Sequence, residues 1–392
     1  MLKGLLGSRR WPLGLDIGTA TVRMLQLHRS GRNLTVVASG QHDLPPRLPR
    51  TGPEYRQAVT AAVREMLRKG GFRGRRVVSA LSCNDMVMKN VRMPAMSDRE
   101  FVEAVRWEAG ERFPFSPGSD QLRWIKAGQI RQGAEVREEV IMLAARPEAV
   151  ENHLAMLEEV GLVPEHIEAE PLALFRVFTH FLRRRADEQA VNVVADIGRS
   201  STRITVARGR RVVFLKQIDI GGQQFTEAVA KQLNLDESEA AELRLRIMRD
   251  SAASAPNAGR GEDVSGAEPP AGDKDWTLRD AIRGPAEDLA REVALCLRYC
   301  SVTFRGLRPD RLVLTGGESH DPALMEILSR NLGVECVVGE PLRGVDLTGM
   351  AEAASGRERL AGWAVCAGLA MRDIDFENAG EEGRHVERRL SA

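Results

Sequence analysis

The sequence has no C-x-x-C pair, and its five cysteines, Cys83, Cys296, Cys300, Cys336 and Cys366, are odd in number. That excludes a disulfide framework and offers no zinc-ligand spacing, so a reducing compartment, the cytoplasm, is expected. No unbroken apolar run approaches the roughly 20 residues of a spanning helix, so no bilayer crossing is expected. The opening MLKGLLGSRRW is too short for a secretory signal and reads as a frayed end. Charge of one sign is missing too: 56 basic and 55 acidic residues leave a net charge of +1. Such balance excludes a whole-surface nucleic-acid or anionic-membrane footprint, and no nucleic-acid partner is expected. Lysine is scarce, seven among the 56 basic residues, which is a usage bias rather than a binding signature. There is no GxxxxGK[ST] and no GxGxxG, and the histidines do not cluster. The P-loop, the dinucleotide fingerprint and a Ser-His-Asp arrangement therefore have no support.

What is present is a 392-residue chain with 43% apolar residues, enough for two or three domains of about 100–200 residues each. Its most informative feature is an internal repeat. LGLDIGTATVR at 13–23 is echoed by VVADIGRSSTR at 193–203, 180 residues later. Both read D-I-G-x-x-[ST]-x-R, and both continue into alternating apolar residues, a basic Gly turn (30–32 and 208–210) and a second β-rich run (34–37 and 212–215). That pattern is strand, Gly turn, strand, turn, strand in each copy. A period this long indicates two related domains; solenoid repeats are about 20–50 residues.

Between the copies, 55–69 is helical, with Ala58, Val59, Ala62, Val63, Met66 and Leu67 on one face, and 76–81 is a strand. Ser97 and Glu100 form a capping box opening a helix that Pro114 stops. Strands are expected at 121–129 and 139–145, and helices at 147–160 and 170–185. After the second copy, 223–232 and 236–249 read as helices, and 251–274, with almost no large apolar residues, as a disordered loop. A long helix over 277–304 is expected to be interrupted at Gly284-Pro285. Then come a strand at 311–315, a helix at 322–332, a strand at 334–338, a last helix at 359–371, and a loose tail.

The chemistry lies in the two acid-Gly-hydroxyl hairpins. A strand ending in Asp aims a carboxylate at a cation, and the Gly lets backbone approach without a Cβ. The following N–H groups and hydroxyls form an anion-binding concavity. Two such hairpins face to face would clamp a polyphosphate. The candidate phosphate residues are Gly18, Thr19, Ala20 and Thr21 in the first hairpin, and Gly198, Arg199, Ser200 and Ser201 in the second. Asp16 and Asp196 would hold Mg²⁺ through its waters. Glu170, opening a helix just before the second copy, is placed to orient a water toward a terminal phosphate. The turn Gly316-Gly317-Glu318-Ser319 lets backbone approach a base or ribose.

In this order the motifs resemble the actin-like ATPase superfamily: first phosphate hairpin (16–21), connecting helix (170–173), second phosphate hairpin (196–202), adenosine turn (316–319) and closing helix (362–368). Finer detail resembles one branch, the PilM family of type IV pilus assembly proteins. RWEAGERFPF at 106–115 is its most specific part, joined by MLAAR at 142–146 with Val150 and Glu151, GLVP at 161–164, IDIGG at 218–222 and VCAGLAMR at 365–372. The likeness runs from Leu13 to Arg372.

The resemblance implies an α/β, actin-like (ribonuclease H-like) duplicated two-domain fold with a small inserted FtsA/PilM-type subdomain. On this sequence the first domain would be 11–83 with 166–185, and the insert 84–165. The second domain would be 190–222 with 311–373, its helical subdomain 223–310, and the tail 374–392. It implies ATP with Mg²⁺, weak ATP hydrolysis at most, and catalytic roles for Asp16, Asp196 and Glu170. It also implies an N-terminal peptide of a PilN-like membrane protein as partner, held between the first domain and the insert; Trp107, Phe113 and Phe115 are the candidate exposed aromatics near that groove, with simple core packing as the alternative reading. A pilus assembly ATPase is a further expected partner. The location implied is cytoplasmic, peripheral at the inner face of the cytoplasmic membrane. One departure concerns the adenosine helix, where the superfamily often has Glu and, three residues on, Lys. Here Glu239 is followed at that spacing by Glu242 and Glu242 by Leu245, with Arg244 or Arg246 as substitutes after a register shift. Glu242 is the candidate contact there. Other readings are a small-molecule kinase of the superfamily, an FtsA-like filament protein, and a type II secretion scaffold.

Overall fold

A computed structural model describes residues 11–30, 33–45, 48–49, 52–119, 121–132, 135–179, 188–254, 274–355 and 357–374. The frayed start, most of the 251–274 loop, the end of the helix read at 170–185 and the tail beyond residue 374 lie outside them.

The repeat is a repeat of architecture. In the first half, β1 (Leu13–Ile17), β2 (Thr21–Ser30) and β3 (Asn33–Asp43) form an antiparallel meander. Strands β4 (Arg76–Leu81) and β8 (Val163–Ala169) extend it in parallel from β1. In the second half, β9 (Val191–Ile197), β10 (Thr202–Arg208) and β11 (Arg211–Ile218) form the same meander, extended by β12 (Arg311–Thr315) and β13 (Glu335–Val338). The orders are β14-β3-β2-β1-β4-β8 and β11-β10-β9-β12-β13, identical apart from the short β14 (Val345–Asp346) at one edge. The central strands β1 and β9 are fully or mostly buried, LGLDI and VNVVADI, as strands covered on both faces must be.

Helices α1 (Pro53–Lys69) and α3 (Pro147–Glu159) cover one face of the first sheet. Val59, Ala62, Val63 and Met66 meet Met156 and Leu157 over Leu13, Leu15 and Met24. So α3 and β8 pack with the first lobe, although the sequence reading grouped them with the insert. Helices α4 (Glu170–Thr179) and α9 (Ala364–Ala370) lie between the two sheets. Ala173 and Leu174 of α4, and Ala364, Val365 and Leu369 of α9, share one apolar cluster with Val78 and Ala80 from the first sheet and Val194 from the second. Small residues make the crossing possible: a Cβ on Gly368 would run into the Ala173 carbonyl, and one on Gly14 would lie 2.6 Å from the Ala370 nitrogen. The chain after 345 thus returns to the first lobe through β14 and α9.

On the second lobe, α5 (Gly222–Leu233), α6 (Glu237–Ser254), α7 (Lys274–Thr303) and α8 (Pro322–Leu332) gather around its sheet. The break expected at Gly284-Pro285 does not occur; Pro285 sits inside α7. Ala281, Ile282, Ala286, Leu289, Ala290 and Val293 are buried on either side of it, and that continuous apolar seam outweighs the one backbone hydrogen bond a proline removes. The last helix is also shorter than expected, with a 3₁₀ stretch (Arg357–Trp363) preceding α9.

The insert is a three-stranded sheet, order β5-β7-β6, from β5 (Met86–Pro94), β6 (Leu122–Gln132) and β7 (Glu135–Ala145), with α2 (Asp98–Arg112) on one face. Strand β5 escaped the sequence reading because its polar residues break the alternation. The apolar run of β7 is buried on both sides. Val140, Met142 and Ala144 meet Phe101, Val105 and Ala109 of α2, while Ile141 and Leu143 join the core of the second lobe. The insert is thereby docked on the far lobe. The Asn90 amide donates to the Leu215 carbonyl (3.3 Å), and Arg92 bonds both Glu139 (3.0 Å) and the Thr303 hydroxyl (3.1 Å). The Tyr299 hydroxyl donates to the same buried Glu139. The capping box at Ser97 and Glu100 forms as expected.

Candidate functional site

Both D-I-G turns close with the same bond. The Gly18 N–H donates to the Thr21 carbonyl at 3.0 Å, and the Gly198 N–H to the Ser201 carbonyl at 3.0 Å. The antiparallel register then sets Asp16 opposite Arg23 and Asp196 opposite Arg203. Gly18 is needed for this turn: a Cβ there would lie 2.9 Å from the Thr21 carbonyl oxygen. The second hairpin is backed by Gly221 and Gly222 at the start of α5, whose first N–H groups bond the Gly198 carbonyl (2.9 Å) and the Arg199 carbonyl (2.7 Å).

The three candidate carboxylates converge from different elements: Asp16 ends β1, Asp196 ends β9 and Glu170 opens α4. All three are buried. Asp16 and Asp196, distant in sequence, are close enough for the charge of one to act on the other. Between them lies a group to which the sequence reading gave no role. Arg203, its side chain 17% exposed, donates to Asp196 Oδ2 through Nε (2.8 Å) and Nη2 (2.5 Å). It also donates to Glu170 Oε2 through Nη1 (2.5 Å). The Thr315 hydroxyl donates to Asp196 Oδ1 (3.1 Å), and the Cys83 N–H donates to Glu170 Oε2 (3.4 Å). The Arg203 pKa is pushed well up by Asp196 and Glu170 against the opposing effect of burial. Among the described residues Asp16 has no such partner: Arg23 turns to Gln41 (3.1 Å) and lies 5.9 Å from the centre of the Trp363 ring. Burial first, then the negative charge of Glu170, raises the Asp16 carboxyl to about 7.

These atoms do not make the magnesium site expected of Asp16 and Asp196. Asp196 Oδ2 and Glu170 Oε2 are engaged by a permanent cation, and Asp196 Oδ1 by a hydroxyl. Among the described residues no group of three or more His, Cys, Asp or Glu is arranged to hold a metal ion. Arg199 swings outward, toward Glu237 at the start of α6 (4.0 Å). Thr19, Ala20 and Thr21, like Ser200, are half-buried in the turns, and Ser201 is buried.

The third turn, Gly316 to Ser319, leaves β12 beside the second hairpin. Gly316 has φ +87°, and a Cβ on it would meet the Ile197 carbonyl and lie 2.8 Å from Asp196 Oδ1. Gly317 is exposed, with open space around it. Glu318 faces α6, where Arg244 donates to it (2.6 Å) and to Asp321 (3.1 Å), the N-cap of α8. Arg244 also reaches the Gly222 carbonyl (3.1 Å). Arg244 is buried while Glu242, the sequence candidate, points to solvent. Arg244, Ile247, Met248, Leu278 and Ile282 line a small cavity beside this turn.

Duplicated sheets, mirrored Gly turns and a pair of helices crossing between the lobes define an actin-like protein. Within that class, the family of type IV pilus assembly protein PilM matches residues 14–249, and the chain belongs to that family. A solved PilM–PilN type IV pilus biogenesis complex is similar along nearly its whole length. Its TM-score is 0.74 and its identity 27%, covering 94% of this chain and 99% of that one. The ethanolamine utilization protein EutJ from Carboxydothermus hydrogenoformans shares the fold at 14% identity and TM-score 0.50, over 92% of this chain and 89% of that one. The kinase, filament and secretion-scaffold readings are not favoured by this membership.

Of the three aromatics expected near a peptide groove, Trp107 is 66% exposed on the outer face of α2. Phe113 is buried, and Phe115 stacks on it with ring centroids 6.2 Å apart. No described helix is long and apolar enough to cross a membrane.

Proposed function

We propose that this chain is a nucleotide-binding adaptor of a type IV pilus machine that grips the N-terminal segment of a PilN-like membrane protein. Its location would be peripheral, at the inner face of the cytoplasmic membrane. The observation that carries this reading is the mirrored pair of hairpin turns with Asp16 and Asp196 brought near each other, in a chain of the PilM family that aligns with 99% of a PilM solved with PilN. The backbone of residues 19–21 and 199–201 and the hydroxyls of Thr19, Ser200 and Ser201 would offer donors to a polyphosphate, whereas the Thr21 hydroxyl already donates to Asp43 (3.2 Å). The open backbone at Gly317 would face the nucleoside, with Arg244 in place of the Lys of other superfamily members. Nucleotide acts here as a ligand that favours one arrangement of the two lobes, and the insert, docked on the second lobe, carries that change to the peptide.

The test is capture of the full chain on an immobilised PilN N-terminal peptide, with and without ATP. Retention that rises or falls with ATP supports the reading; no retention in either condition removes the partner. Trp107→Ala is expected to weaken capture at least about tenfold, as loss of an exposed aromatic anchor does, with an unchanged melting temperature.

A further inference from the structure

The two halves of the repeat place an arginine at the same register position, but only one of them pairs with the aspartate opposite it. Arg203 spends all three guanidinium nitrogens on Asp196 and Glu170, at 2.5–2.8 Å. These are the carboxylates of the second hairpin and of the connecting helix, so the guanidinium also ties the second lobe to α4. It is planar, delocalised and charged at every accessible pH. A divalent ion at the same place would have to strip both carboxylates from it, or sit beside a fixed positive charge in a buried site where like charges repel strongly.

We propose that Arg203 is the resident cation of this carboxylate cluster: it holds Asp196 and Glu170 in the place of a divalent metal, and nucleotide binds here without a carboxylate-held ion. The second clause deepens the nucleotide reading and rests on it; the first stands on the geometry alone.

The test has two arms, both on the full chain. In the first, Mn²⁺ is titrated into nucleotide-free protein and followed by electron paramagnetic resonance of the free ion. Wild type is expected to leave the signal unquenched, and Arg203→Gln to gain one bound ion per chain, with affinity raised at least about tenfold, the scale on which ligand-shell changes act. Where Arg203→Gln does not fold alone, its refolding is followed with and without added Mn²⁺, and rescue by the ion is expected; no rescue counts as no gain. Stoichiometric Mn²⁺ binding by wild type, or no gain in the folded variant, overturns the proposal. In the second arm, ATP binding to wild type is measured by calorimetry in EDTA and in MgCl₂. Affinities within about threefold of each other, well under 1 kcal/mol of difference, are expected. A loss of more than about tenfold in EDTA contradicts the second clause. Absence of ATP binding in both buffers sinks the nucleotide reading, while the Mn²⁺ arm still decides the first clause.

Discussion

The two D-I-G hairpins share strand order, turn bond and cross-strand register, yet their electrostatics are opposite. In the second, aspartate and arginine meet as a buried ion pair that also captures Glu170. In the first, the arginine faces outward to Gln41 and Trp363, leaving Asp16 buried with its proton affinity raised. Duplication thus supplied one scaffold, and neighbouring side chains decided its use. The carboxyl of one hairpin is neutralised by a fixed cation; the other is neutralised by a proton near neutral pH.

The largest effect is expected where the second hairpin differs most. Arg203→Ala strands two buried carboxylates and should cost about 3–5 kcal/mol, read by chemical denaturation. Arg23→Ala, losing one hydrogen bond and a distant ring contact, should cost about 1 kcal/mol. Equal costs would erase the asymmetry. Next comes the strand position two residues before each aspartate. Gly14 lies against the α9 backbone, whereas its counterpart Val194 already packs a side chain between the sheets. Gly14→Ala should therefore destabilise by about 1–3 kcal/mol, read by thermal melting.

The last contrast is a pH dependence. With a folded pKa near 7, above the ordinary 3.8, Asp16 keeps in the native state a proton that the unfolded chain releases. Its contribution to stability is present at low pH and is lost as pH rises through about 4 to 7. Asp16→Asn has no such loss. Its stability, read by thermal melting, should exceed wild type at pH 8 by up to about 4 kcal/mol, at about 1.4 kcal/mol per unit of pKa, with the gap closing toward pH 4. A gap that widens on acidification would mean that Asp16 is paired.

Much of this fold was legible in the sequence. The repeat located both central strands, and the Ser97–Glu100 box located α2 to within a residue. The apolar run at 139–145 announced a strand, and its burial on both faces came from the structure. What escaped depended on contacts between distant segments. Strand β5 pairs with β7 despite an irregular pattern, and α7 runs through Pro285 because its apolar face is held throughout. The site divides in the same way. The hairpin carboxylates were readable from a motif, whereas Arg23 and Arg203 occupy identical motif positions. Nothing local could tell which of them would turn inward. Arg244 was readable only as a register-shifted substitute; its burial against Glu318 and Asp321 comes from how α6 meets α8.

The central claim is that the mirrored turns together hold a nucleotide. It is tested most directly by calorimetric titration of ATP into wild type, Gly18→Val and Gly198→Val. One saturable site in wild type, lost in both variants while each keeps its fold, is the expected result. No saturable heat with wild type, or full binding after both substitutions, would contradict it.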